Sequence, residues 1–318
     1  MNYLSRSLQI IKERSLRACI KAVHRFLIWH PILDEIHFII SRTFRSRIQL
    51  IRTTLGYRML VDIYNYGTHK NLFIYQQHEP LCTKIFSSMI PEKSIVLDIG
   101  ANIGYYVLIE AQKASKIYAI EPALQNIEFL KKNIDLNILD EFIEIYQLAM
   151  SDNKDKALLS LDDVPNRYRL VADKSKYYKN VFQVDTTTVD EFLKNRRVDV
   201  VRMDIEGAEW LVIRGMTDTL SQLDNVRVLF IELHPTLIKD YGGDALALVN
   251  LLLDSNFKIQ YIVLLKRQTK ISWGYFTKGP LTLQQVLEFG HSSNQIKAAT
   301  ALKKIIENNM DCWLFMER

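Results

Sequence analysis

The chain of 318 residues has only three cysteines, Cys19, Cys82 and Cys312. They are odd in number and far apart, which excludes a disulfide framework and supplies no zinc-ligand spacing. Such thiols suit a reducing compartment, so the cytoplasm is the expected location. Long apolar runs are missing too. A spanning helix needs roughly 18 uninterrupted apolar residues, and the longest early run, Phe26 to Trp29, stops at His30-Pro31. No small-residue cleavage site follows a single apolar core, so no secretory signal is expected. Repeats and low-complexity stretches are absent. There is no Asn-Pro-Pro-Tyr type sequence of the kind that receives a flipped base, and no G-x-G-x-x-G phosphate fingerprint.

What is present is a chain with 48% hydrophobic and 24% charged residues, enough to bury a large core and unlike a disordered one. The net charge of +5 is unevenly placed. Residues 1–60 hold eleven Lys and Arg against three acids, which makes that segment +8 and leaves −3 on the remainder. The basic excess therefore belongs to the N-terminus, and the slightly acidic remainder disfavours a nucleic-acid partner. Residues 3–29 lack Pro and Gly and read as a helix with one apolar side, ended by Pro31. Residues 34–53 read as a second basic helix, and residues 57–63 as a strand.

After Pro91 strands and helices alternate. Strands are expected over 94–98, 116–121, 143–149, 198–204, 226–232, 259–265 and 312–316. Helices are expected over 105–114, 125–136, 191–195, 208–214 and 246–255. This rhythm predicts an α/β fold with a doubly wound, Rossmann-like parallel sheet. The organisation read from it is a basic helical N-terminal extension (1–55), a lead-in segment (56–90) and the main domain (91–318). A helical insertion at about 266–311, with helices from Leu283 to Phe289 and from Ile296 to Ile306, has the length of a substrate lid.

In such a sheet ligands sit at the carboxyl ends of the strands, where strand order reverses. The first strand ends in Asp98, followed by Gly100, Ala101, Asn102, Ile103 and Gly104. Gly100 permits a tight turn. Asn102 interrupts the phosphate pattern, and Asp98 is expected to bring negative charge towards the ligand. A dinucleotide is therefore disfavoured and a ligand bearing an ammonium group is favoured. S-adenosylmethionine, with an ammonium, a sulfonium and no phosphate, fits. Glu121, at the end of the next strand, is placed to accept hydrogen bonds from a ribose diol. Met150, Ser151 and Asp152 follow the third strand, where an adenine would lie, although Ser-Asp is also ordinary turn chemistry.

At this point the residues resemble the FkbM-type methyltransferases. Val96–Tyr106 (VLDIGANIGYY) marks methyltransferases broadly, and Asp199–Gly215, with its Asp204-Ile-Glu206-Gly-Ala-Glu209 core, is more specific. Thr186–Phe192, Ile231–Pro235 and His78-Glu79-Pro80 add weaker support, and the likeness spans roughly residues 57–265. The resemblance implies a Rossmann-like methyltransferase using S-adenosylmethionine, usually for O-methylation of a sugar, glycolipid or small molecule. A non-catalytic methyltransferase-like binding module and an NAD(P)-dependent oxidoreductase are the alternatives.

Methyl transfer to a hydroxyl needs alignment and a base. The fourth and fifth strand ends offer Asp204, Glu206, Glu232 and His234 as catalytic candidates. Each has a plainer reading: acids at a helix start are favoured by its dipole, and a strand-end His can be structural. No metal is assigned, although these oxygen ligands would suit Mg²⁺. Tyr105, Tyr106, Tyr118 and Trp210 are expected mainly in packing. Residues 1–55 could lie on an anionic membrane; the same apolar side could instead pack on the domain or on a second subunit of a homo-oligomer.

Overall fold

The structure is a computed structural model, and it describes residues 31–161, 168–171, 181–222, 224–265, 284–288 and 295–318. The helix expected over 3–29, and the start of the 266–311 insertion, lie outside those residues. By compactness the chain falls into two units, of which the first contributes residues 31–45 to the description and the second all the rest.

The first unit shows one helix, α1 (Pro31–Phe44). The second opens with an antiparallel hairpin, β1 (Ile48–Arg52) and β2 (Arg58–Asp62). The helix expected over 34–53 therefore stops at Phe44. Beyond it Ile48–Arg52 pairs along its whole length with β2, and cross-strand pairing overrides the helical reading. Two helices follow, α2 (Thr68–Tyr75) and α3 (Pro80–Met89). The alternating part then runs β3 (Ile95–Ile99), α4 (Tyr105–Glu110), β4 (Lys116–Ile120), α5 (Leu124–Asp135), β5 (Ile143–Tyr146), β6 (Ala149–Met150), β7 (Lys156–Leu161), β8 (Tyr168–Leu170), β9 (Val181–Thr187), α6 (Val189–Leu193), β10 (Val200–Met203), α7 (Glu209–Arg214), α8 (Thr217–Ser221), β11 (Val228–Leu233), α9 (Pro235–Ile238), α10 (Ala245–Asp254), β12 (Lys258–Leu265), β13 (Gln284–Glu288), α11 (Gln295–Glu307) and β14 (Cys312–Glu317).

The main sheet has the order β13-β12-β14-β11-β10-β3-β4-β5. Its centre, β11-β10-β3-β4-β5, is parallel. The far strands β14, β12 and β13 join by antiparallel pairing. Strand order reverses at β3, whose carboxyl end carries the Gly100 loop, so the loop stands where this class of sheet binds ligands. Both faces of the centre are covered: every residue of β10 is buried, and all of β3 beyond its first.

Two expectations need correction. The strand expected over 143–149 breaks after Tyr146, and Ala149–Met150 instead pairs with β9 in a separate four-stranded sheet, β6-β9-β7-β8. The helix expected from Leu283 to Phe289 is strand β13, laid against β12 from Gln284 to Glu288. A five-residue run has too few turns for periodicity to separate the two states, and an open sheet edge decided it.

A buried charged pair breaks the apolar texture of the centre. Arg202 sits in β10 directly opposite Asp98 of β3 and is 3% exposed. Its Nη1 donates to Asp98 Oδ1 at 2.8 Å and its Nη2 to Asp204 Oδ2 at 3.1 Å. The guanidinium lies 4.1 Å from the ring centre of Tyr106 and 5.3 Å from that of Trp313. Removing one partner of a buried pair strands the other charge, at a cost of about 3–5 kcal/mol. Arg202→Met is therefore expected to lose that much in urea unfolding, and adding Asp98→Asn to recover part of it. A loss below about 1 kcal/mol, the range of an exposed pair, would show that the bridge is energetically idle.

Candidate active site

The loop after β3 is built from its backbone. Gly100 has φ 88° and an added Cβ would stand 2.1 Å from the Asp204 carbonyl oxygen, so only glycine lets the ends of β3 and β10 approach this closely. Gly100 and Ala101 both donate their N–H to the Ile120 carbonyl, which ties the loop to the end of β4. Asn102, at φ 52°, donates its N–H to Glu121 Oε2 at 2.8 Å. Glu121 is 4% exposed, and its Oε1 accepts from Ala123 N–H and Asn126 Nδ2. Burial pushes its pKa up to about 7 against the lowering effect of those three donors.

The loop and the strand ends open on a cavity of about 260 Å³. Of the expected site residues, Gly100, Asn102, Glu121, Met150, Asp204, Glu206 and Glu232 line it. Asp98, Ala101, Gly104, Ser151, Asp152 and His234 are not in its wall. Asp98 is fully buried behind the loop, and burial raises its carboxyl pKa although Arg202 works against the rise. The acids that line the cavity are Glu79, Glu121, Asp204, Glu206 and Glu232 instead. Ser151 is buried and donates its N–H to the Thr187 carbonyl, while Asp152 reaches Arg214 at 3.5 Å.

His234 stands at the centre of a carboxylate cluster just behind the wall, 3% exposed. Its Nδ1 is 2.8 Å from Glu209 Oε1, and since a carboxylate only accepts, Nδ1 carries a proton. Its Nε2 lies 3.4 Å from Glu232 Oε1 and 3.7 Å from Glu206 Oε2. Glu209 Oε1 also accepts from Gly207 N–H. Burial alone would lower the imidazole pKa, but Glu209 and Glu232 outweigh it and hold His234 well above the ordinary histidine range. Burial likewise pushes Glu232 well up, helped by Asp204 and opposed by His234. One ligand-type atom each from Asp204, Glu232 and His234 lies within 4.8 Å of the others.

Several wall residues had no role in the sequence reading. Glu79 accepts from Tyr106 Oη at 2.9 Å. His78 interacts with Asn71 Nδ2 at 3.2 Å. His69 is buried, its Nδ1 accepts from Asp62 N–H, and burial brings its pKa down to about 4. Tyr168, Arg169 and Leu170 of β8 close another side of the cavity. Arg202 had a signal in sequence, a lone cation inside Val-Val-Arg-Met. Glu79 had one in His78-Glu79-Pro80, but nothing local says that this segment meets the β3 loop. Tyr106 is packed with Phe86 and Trp313, as expected of an aromatic beside a strand–helix turn.

The chain is similar to known proteins. The methyltransferase FkbM domain matches residues 98–259. Methyltransferase 1 of Beauveria bassiana is 28% identical over 50% of this chain and 71% of its own length. Hexuronic acid methyltransferase AglP of Haloferax volcanii is 27% identical over 45% of this chain and 57% of its own. Among solved structures, the methyltransferase FkbM from Methylobacillus flagellatus aligns with a TM-score of 0.40 at 14% identity, covering 77% of this chain and 52% of that one. The matched range holds the Gly100 loop, Glu121, the Asp204–Glu209 segment and the Glu232–His234 pair. The chain belongs to the FkbM family of S-adenosylmethionine-dependent methyltransferases.

Proposed function

We propose that this methyltransferase acts on a hydroxyl of a sugar, a glycolipid or a small metabolite. The observation that carries the reading is the hydrogen-bonded carboxylate–histidine cluster at the ends of β10 and β11, set beside the same cavity as Glu121. The likeness to the Haloferax volcanii relative, a hexuronic acid methyltransferase by name, supports a sugar acceptor.

S-adenosylmethionine supplies a methyl group already activated on a cationic sulfur. The residues present fit it: Glu121, in the cavity wall at the end of β4, would accept from a diol, and Glu79, Asp204 and Glu232 offer a cation a carboxylate-lined wall. Asp98 contributes from behind, by fixing Arg202 and through it Asp204. Gly100 and Asn102 shape the loop, Ala101 and Gly104 anchor it, and Met150, with Ser151 and Asp152 behind, borders the adenine side.

The chain must also take a proton from the acceptor. The carboxylates around His234 raise its pKa and it stands behind the wall, whereas Glu232 lines it and burial raises its pKa. Glu232 is thus the base that meets the acceptor, and His234, held by Glu209, is the positioning residue that keeps it oriented. Asp204 and Glu206 orient the acceptor. A second reading has its own observation: Asp204, Glu232 and His234 are close enough to share a divalent cation, which would polarise the acceptor oxygen. The basic 1–55 segment would carry the enzyme to a lipid-linked acceptor.

Glu232→Gln is expected to lower turnover by about 10²- to 10⁴-fold, well beyond any loss of S-adenosylmethionine affinity from removing one carboxylate of the wall. His234→Gln should move the pH–rate profile as well as its height. The acceptor for these assays comes from mass spectrometry of glycans, lipids and metabolites in a deletion strain and its parent. Full turnover in both variants removes this cluster from the chemistry. Loss of activity on chelation, restored by Mg²⁺, selects the metal reading.

Glu121 gives a pH dependence that needs no acceptor. Its pKa is about 7 in the free protein, and a diol donates more strongly to the ionised form than to the neutral one. Binding therefore favours deprotonation, so affinity is full above that pH and falls as pH drops through it, by up to tenfold per unit. Calorimetry across pH 5–9 should show this, and Glu121→Gln should flatten the profile and weaken binding by about ten- to a hundredfold. A profile that keeps its slope in Glu121→Gln assigns the titration elsewhere.

A further inference from the structure

Helix α1 is amphipathic in an inverted sense. Asp34, Phe38 and Ser41, at helical spacing, are buried, while Ile36, Ile39, Ile40 and Phe44 are exposed by 46%, 54%, 50% and 82%. At about 100° per residue these four apolar side chains fall on one stripe, opposite the buried residues. Water is a poor partner for such a stripe, and contiguous exposed apolar surface of this kind marks an interaction site.

The charge around the stripe selects its occupant. Arg42 is in the last turn of α1 and Arg45 follows it. The first sixty residues carry eleven Lys and Arg against three acids. A second copy of the chain would bring two such basic segments together and be repelled. An anionic bilayer takes both parts at once, with apolar side chains entering the headgroup boundary and basic ones meeting phosphates. No described helix is long and apolar enough to cross a membrane, and α1, with 14 residues, is about 21 Å long, which suits lying in the surface plane.

We propose that the Ile36–Ile39–Ile40–Phe44 stripe of α1 seats the protein peripherally on an anionic lipid surface. This rests on the helix and its charges and is independent of which residue serves as base or which acceptor is methylated.

The test uses the full chain in flotation with phosphatidylcholine vesicles, with and without phosphatidylglycerol. Binding is expected only to the anionic vesicles and should weaken as salt is raised. The triple variant Ile39→Ser, Ile40→Ser, Phe44→Ser should lose it, while calorimetric binding of S-adenosylmethionine, unchanged from the parent, shows that the domain is folded. Arg42→Gln with Arg45→Gln should weaken vesicle binding by up to about fivefold per charge and flatten the salt dependence. Three results overturn the proposal. The first is an intact chain that fails to float at low salt. The second is a triple variant that floats like the parent, which would assign any lipid contact to residues 1–30. The third is a dimer in light scattering that the triple variant dissolves, without vesicle binding, which would make the stripe a subunit interface.

Discussion

Burying a guanidinium in the centre of a parallel sheet is costly, and the rest of the site is arranged around that cost. Arg202 is compensated by Asp98 across the strand pair and by Asp204 two residues on, with Tyr106 and Trp313 near its planar group. These partners come from β3, the end of β10, α4 and β14. The cation therefore ties the two strand ends that form the floor of the cavity to the aromatic layer behind them. Gly100 completes the arrangement, since any side chain there would collide with the Asp204 carbonyl. The position of Asp204 in the wall is thus inherited from a buried pair rather than from the loop that carries it.

The same region holds more negative charge than it can neutralise. Glu79, Asp204, Glu206, Glu209 and Glu232 gather around His234 and Arg202, in a setting that screens poorly. A proton on His234 makes up part of the difference, since the neighbouring carboxylates raise its pKa. Glu110, further back and fully buried, has its pKa pushed well up by burial, with Asp98 adding to the rise. A cationic ligand entering the wall would do what the His234 proton does. That favours a charged methyl donor over its neutral product and gives the site a physical reason to release the product after transfer.

Much of the fold was legible because β3, β4, β10 and β11 are short apolar runs separated by helices, a pattern with few other solutions. The loop from Asp98 to Gly104 and the end of β4 at Glu121 were legible for the same reason, since spacing along a βαβ unit fixes which residues meet. Strand β13 was not, because Gln284–Glu288 becomes a strand only when β12 offers an edge. Asp98 was read as facing the ligand because its place at a strand end is visible in sequence. That its carboxylate is claimed by Arg202, 104 residues on, is a fact of register between strands. Glu79 illustrates the same limit: its motif is visible, but its approach to Tyr106 depends on how α3 is laid against α4.

Backbone strain separates this wall from an ordinary crevice. Among the described residues eight non-glycines have positive φ, and three of them, Glu79 at 42°, Asn102 at 52° and Glu206 at 53°, line this cavity. A non-glycine residue held there costs of order 1–3 kcal/mol and persists only where its surroundings over-determine it. Each has such a restraint. Glu79 leads into Pro80 at the start of α3 and accepts the Tyr106 hydroxyl. Asn102 is fixed by Glu121 through its N–H and by its own side chain, which accepts from Ile103 N–H. Glu206 precedes Gly207, whose N–H is taken by Glu209. Relaxing any of the three would turn a polar group away from the cavity and break a bond that also orients a carboxylate. The strain and the charge crowding are therefore one feature: the fold holds these groups in place before a ligand arrives, so that little reorganisation is left for the reacting complex.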